Sequence, residues 1–166
     1  MDICFRPIGY VRSDYPPGRR PPAWQGTAAR IEIDPRWTTA LSGLDGFSHL
    51  VVLCYLHLSP QADPPDRVHP TGDPELPLVG LFGTRSPHRP NPIALSIVPL
   101  VTRQENVLHV RDLDMYDGTP VLDLKPYLPH PYAPSEMAYP EWVHRMWEKR
   151  REEREGREGR EGSPNL

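Results

Sequence analysis

A chain of 166 residues has room for one domain with a modest core, and its net charge of −3 is not that of a broadly basic nucleic-acid binder, so any RNA contact must come from a local patch. Twenty-three prolines disfavour long helices and central sheet positions, because proline lacks the amide donor that both require. No apolar stretch approaches the roughly 20 residues of a membrane span, no basic-then-apolar leader opens the chain, and no CxxC or Cys/His spacing suits a structural zinc. The expectation is a soluble cytoplasmic protein with no membrane contact and no metal.

In chain order, residues 3–12 (ICFRPIGYVR) predict a first strand with a turn near Pro7 and Gly9, and residues 13–27 are loop by composition. Residues 29–34 (ARIEID) alternate as a half-buried strand does. One or two helical turns are expected between Pro35 and Asp45. The apolar run 48–58 (SHLVVLCYLHL) predicts a strand buried on both faces, or a short buried helix; its length and β-branching favour the strand. Residues 59–77 hold six prolines and no periodicity, as a long loop would. Strands follow at 78–84, 93–101 and 107–116, the last two joined as a hairpin through Arg103–Asn106. Six or more short strands without βαβ alternation predict a mainly β fold, a single small closed or nearly closed barrel with long proline-rich loops.

The chain changes character at residue 139. Residues 139–155 predict a charged helix that starts near Pro140, with Trp142, Val143, Met146 and Trp147 on one side. The REGREG repeat beyond it reads as a disordered tail. Seven basic and seven acidic residues between Glu141 and Glu161 make this stretch neutral. The division expected is a barrel domain over 1–138 and helix plus tail over 139–166. Cys4 and Cys54 lie in apolar, strand-like runs and are expected to be buried free thiols.

Two segments could carry chemistry. In TRSPHRPNP (84–92), prolines fix the backbone around Arg85 and Arg89, a suitable clamp for a carboxylate or phosphate, although the same loop could simply pair its arginines with neighbouring acids. In LDMYDGTPVLDLKPYLP (113–129), Asp114 and Asp117 flank Met115 and Tyr116, and Asp117-Gly118 marks a tight turn. No glycine-rich phosphate loop is present, which leaves a Rossmann-type cofactor site unsupported. The early basic residues Arg6, Arg12, Arg19 and Arg20, interleaved with Tyr10, Tyr15 and Trp24, have the composition of RNA-binding loops.

The strings FRPIGYVRS (5–13), LSGLDGFSHLVVLCYLH (41–57), GLFGTRSPHRPNPIALSIV (80–98) and DLDMYDGTPVLDLKPYLP (112–129) closely resemble, in order, the signature segments of the TrmO family, also called YaeB-like or VirR-like proteins. Ala94 stands where glycine is common in that family. AWQG (23–26) departs from the usual string there, and the extra C-terminal domain of longer members is replaced by the charged helix. The resemblance implies a β-barrel that dimerises, binds S-adenosyl-L-methionine and methylates N6 of N6-threonylcarbamoyladenosine next to the anticodon of tRNA. It implies cofactor contacts at Gln25, Gly26, His57, Leu58, Arg89, Leu100, Met115, Tyr116, Asp117 and Gly118, with the RSPHRPNP loop near the interface. Arg12, Arg85 or Lys125 would receive the substrate's carboxylate. Asp114, Asp117 and His57 are candidates to take the proton from the acceptor nitrogen, and residue types do not choose among them. Two other readings keep the cofactor: a methyltransferase of another RNA or a small molecule, or a non-enzymatic S-adenosylmethionine-binding module.

Overall fold

In the computed structural model of the protein, residues 3–19, 23–59, 63–128, 134 and 136–161 are described, with side chains up to residue 153. The expectations that fall on Arg20, Pro129 and residues 162–166 lie outside them. Compact contacts divide the chain into a first unit, residues 1–65 and 87–129, and a second, residues 66–86 and 130–166.

The first unit is a closed antiparallel barrel of six strands. In chain order these are β1 (Gly9–Arg12), β2 (Ala28–Ile33), β3 (His49–Tyr55), β6 (Ile93–Gln104), β7 (Val107–Arg111) and β8 (Pro120–Pro126); β4 (Arg67–Val68) and β5 (Val79–Gly80) belong to the second unit. Around the barrel the order is β1-β2-β7-β6-β3-β8, closed by β8 on β1. Alternate side chains point inward, and Val11, Ile31, Leu50, Val52, Cys54, Val98, Leu108, Val110 and Val121 fill the interior. Closure demands a close approach at Gly9, where a Cβ would lie 2.3 Å from the Glu32 carbonyl oxygen, so only glycine fits. The twelve-residue β6 serves two neighbours: its first half pairs with β3, its second with β7, and the register shifts between Leu100 and Thr102. The β6–β7 hairpin turns at Glu105, as expected, with a left-handed backbone at φ 54°.

The helical turns expected after Pro35 are 3-10 segments at Pro35–Leu41 and Leu44–Gly46, the first capped by the Asp34 side chain on the Arg36 amide. Within the run 48–58 the strand covers His49–Tyr55, and it is buried on one face only: Leu50, Val52 and Cys54 point inward, while Val51, Leu53 and Tyr55 are half-buried on the outside. β7 ends at Arg111 instead of Tyr116, because Asp112 adopts φ 61°. Of the two cysteines, Cys54 is buried and Cys4 is exposed, since the chain before Gly9 is not part of the barrel wall. Burial, and secondarily the negative charge of Asp114, pushes the Cys54 thiol up to about 12.

In the second unit, β4 (Arg67–Val68) and β5 (Val79–Gly80) form a two-stranded ribbon, and the strand expected over 78–84 gives way at Leu81 to a 3-10 turn. The helix α1 (Glu141–Glu161) runs through the REGREG repeat, past the Glu155 at which a tail was expected. Lys149 joins it to the 70–76 segment through Asp73 at 2.6 Å and Glu75 at 2.7 Å. No helix among the described residues is long and apolar enough to cross a membrane.

Candidate cofactor site

Antiparallel pairing brings the loops of interest to one end of the barrel. β1, β3 and β7 run into this end at Arg12, Tyr55 and Arg111, and β2, β6 and β8 leave it at Ala28, Ile93 and Pro120. The registers Ala28↔Arg111, Tyr55↔Ile93 and Tyr10↔Pro120 make that end a common rim. The loops around it therefore carry Gln25 and Gly26, His57 and Leu58, Arg89, and Met115 to Gly118.

Long-range bonds fix these loops against one another. The Gly26 amide, in a left-handed turn at φ 81°, donates to Asp112 Oδ1 at 2.5 Å, and the Asp112 amide donates to the Thr27 carbonyl at 3.0 Å. Trp24 lies edge-on between Tyr15 and Tyr116, with ring centroids 5.5 and 6.0 Å away. The Ser13 amide donates to Asp117 Oδ1 at 3.1 Å, and the Gly118 amide to the Val11 carbonyl at 2.9 Å. On the other side, the Leu56 amide donates to the Pro92 carbonyl at 2.8 Å, which ties the His57–Leu58 turn to the loop bearing Arg89. Asp114 joins the two sides: its Oδ1 accepts from Ser96 Oγ at 2.6 Å, on a strand that begins at that loop. Leu100 is the residue opposite Val110, one position before the end of β7, and packs against the core.

The side chain of Met115 is buried in the barrel, so that residue offers a ligand only backbone. Among the described residues, the amides of Met115, Asp117, Gly118 and Thr119 are all engaged inside the fold. The rim therefore meets a ligand chiefly with carbonyls, carboxylates and aromatic edges.

Of the three cations considered for the substrate, Arg12 ends β1 at this rim, with Nε 2.8 Å from Glu32 Oε2; that bond raises its already high pKa, against the weaker opposing effect of burial. Arg85 lies in the second unit. Lys125 sits five residues along β8 from the rim, opposite Val51, and pairs with Asp123 at 2.6 Å. The tie between Asp112 and Gly26, which shapes the rim, was missed; its only sequence signal is an Asp directly after an alternating strand.

S-adenosylmethionine presents a sulfonium, an ammonium, a carboxylate and a planar adenine, and the rim suits that set. Asp117 could meet a cationic group, Arg89 the carboxylate, and the Trp24–Tyr116 cluster the base. Gly26 and Gly118 leave open space where a Cβ would stand. Among the described residues, no three His, Cys, Asp or Glu side chains gather as a metal site would need.

With this geometry in place, the chain belongs to the family described as the tRNA-methyltransferase O N-terminal domain, whose model matches residues 11–131. The family is one of S-adenosyl-L-methionine-dependent methyltransferases, so the enzyme class and cofactor implied by the sequence stand. A Pyrococcus abyssi protein named as a probable S-adenosyl-L-methionine-binding protein is 39% identical over 132 residues, covering 76% of this chain and 69% of its own length. A Mus musculus protein named tRNA (adenine(37)-N6)-methyltransferase is 33% identical over 162 residues, covering 92% of this chain and 36% of that one. A crystal structure of TrmO superposes with a TM-score of 0.65 at 32% identity, over 84% of this chain and 64% of the other. Another, from Pseudomonas aeruginosa, gives 0.66 at 31%, over 85% and 62%. The chain thus spans somewhat less than two thirds of those solved structures.

Proposed function

We propose that the protein transfers the methyl group of S-adenosylmethionine to N6 of N6-threonylcarbamoyladenosine beside the tRNA anticodon, as a cytoplasmic homodimer. The observation that carries this reading is the convergence on one barrel rim of the loops bearing Gln25–Gly26, His57–Leu58, Arg89 and Met115–Gly118, joined by the Gly26–Asp112, Leu56–Pro92 and Ser96–Asp114 bonds. The name of the mouse relative supports the tRNA adenosine.

The cofactor, when bound, supplies an already activated methyl group. The chain's part is to align the acceptor nitrogen and keep water away. Tyr116 and Trp24 hold the adenine against an aromatic surface, and Arg89 holds the carboxylate. The acceptor N–H is urea-like and weakly nucleophilic, so a proton acceptor assists. Asp114 is the best placed, because its exposed carboxylate is held at the rim by Ser96. Arg12 receives the threonine carboxylate of the substrate, its orientation set by Glu32.

The outer wall of β3 and β6 supports the dimer. Ile93, Leu95 and Ile97 are 40%, 45% and 47% exposed, and they stand directly opposite the half-buried Tyr55, Leu53 and Val51. A lone chain rarely exposes so continuous an apolar face. The wall starts at Ile93, directly after the RSPHRPNP loop, so a second copy seated on it would stand beside the rim.

The test is incubation with labelled S-adenosylmethionine and tRNA from a host lacking the endogenous enzyme, followed by digestion and nucleoside mass spectrometry. Methylated threonylcarbamoyladenosine is the expected product. Cofactor binding with no methyl in RNA would reject the substrate and favour a small-molecule acceptor or a binding module.

A further inference from the structure

The barrel's other broad wall, outside β1, β2 and β7, is unlike the apolar one. Sheet register sets Arg12 opposite Arg30, Arg30 opposite His109, and His109 opposite Thr102, in one outward row across four strands. Arg111 stands next to this row toward the rim, opposite the small Ala28. The inward partners of these residues, Val11, Ala29, Leu108 and Val110, are all buried, which forces the cations outward. A depression of about 410 Å³ opens among Arg12, Arg30, His109 and Arg111 and reaches Asp117.

The charges in this depression are unevenly matched. Arg12 pairs with Glu32 and also feels Asp117. Asp117 accepts the Ser13 amide, and Asp14 is exposed at the edge. Arg30 and Arg111 are exposed, and among the described residues their guanidinium groups have no ion-pair or hydrogen-bond partner. Two unmatched guanidiniums on adjacent strands, with an imidazole between, suit the oxygens of successive phosphodiesters. They also locate the patch that a chain of net charge −3 needs in order to hold RNA.

We infer that the outer wall of β1, β2 and β7 is a phosphate-docking surface, on which Arg30 and Arg111, flanked by His109, hold the backbone of the RNA substrate while its target base enters the adjoining rim. The inference rests on the proposed RNA substrate and adds where that substrate's backbone lies. Contacts of this kind position a nucleic acid without reading its sequence, so the wall governs affinity and the rim governs chemistry.

The experiment compares the full chain with its Arg30→Gln/Arg111→Gln variant, both side chains being exposed and free of structural bonds. Three quantities are measured: affinity for tRNA across a salt series, affinity for an unrelated RNA hairpin, and affinity for S-adenosylmethionine. Expected for the variant are about tenfold weaker binding of both RNAs near 0.1 M salt, a slope of log affinity against log salt reduced by about two, and unchanged cofactor affinity. The Arg30→Lys/Arg111→Lys variant, which keeps both charges, should recover most of the slope. If the original chain methylates tRNA and the Gln variant keeps its RNA affinity and salt slope, the docking surface is wrong and the enzyme reading stands. If no tRNA is methylated but hairpin binding still depends on the two arginines, the surface stands and the substrate is another RNA. If the chain binds neither RNA, both fall.

Discussion

The two outer walls of the barrel start from the same backbone rule and end with opposite chemistry. Along β3 and β6 the outward positions include Val51, Leu53, Tyr55, Ile93, Leu95 and Ile97; along β1, β2 and β7 they include Arg12, Arg30, His109 and Arg111, beside Tyr10, Ala28, Glu32 and Val107. Both walls back onto one continuous interior of Val, Ile and Leu. The inward pattern is therefore what closing a barrel requires, and the outward pattern is free to differ. That freedom leaves room for partners: the proposed second copy on the apolar wall, and the inferred RNA backbone on the cationic one.

The largest expected effect strikes what the walls share. Gly9→Ala places a Cβ 2.3 Å from the Glu32 carbonyl, where β1 meets β2, and should destabilise the barrel by about 3 kcal/mol or more in urea unfolding. Gly118→Ala meets no neighbouring atom and strains only its own backbone at φ 77°, so it should cost about 1 kcal/mol. Equal losses in the two variants would contradict the close approach at Gly9.

Next, Leu95→Arg charges the centre of the apolar wall and leaves the interior intact. Sedimentation should show a weakening of self-association of about a hundredfold with an unchanged unfolding midpoint for the single chain. An unaltered dimer would move the interface elsewhere. At the rim end of the cationic wall, Arg12→Ala should lower kcat/KM for tRNA about tenfold while cofactor affinity stays within about twofold. Equal loss of both would remove Arg12 from substrate binding. The smallest effect concerns the shared interior. The Cys54 thiol, pushed up to about 12 by burial, stays protonated at pH 8, whereas Cys4 is exposed. A thiol reagent should modify one cysteine in the folded protein and the second only on unfolding.

The inward halves of the strands were legible in the sequence because burial on one face imposes alternation: ARIEID matches β2, and VLHVR matches β7. Short-range rules stopped where distant partners took over. Asp112 ends β7 because its carboxylate is held by an amide 86 residues away, a bond no window of the sequence contains. The strand expected over 78–84 stops at Gly80, and Leu81 is instead held by the Asp66 carbonyl at 2.9 Å. The apolar run 48–58 suggested burial on both faces, but the outer face of β3 is only half-buried and forms the apolar wall together with β6. The candidate rim was legible only through family motifs; its residue types, a few Asp, Gly, Tyr and Arg in loops, have no periodicity of their own. The cationic row was illegible for another reason, since Arg12, Arg30, His109 and Arg111 become neighbours only through strand register.

One rim of the barrel is the proposed seat of S-adenosylmethionine. Hydrogen–deuterium exchange of the full chain, with and without the cofactor, tests it directly. Slowed exchange is expected in the loops around residues 24–27, 56–58, 88–92 and 113–118, with no change along the middle of either outer wall. Protection at the opposite barrel end, around the Glu105 turn, or no protection in a chain that demonstrably binds the cofactor, would contradict it.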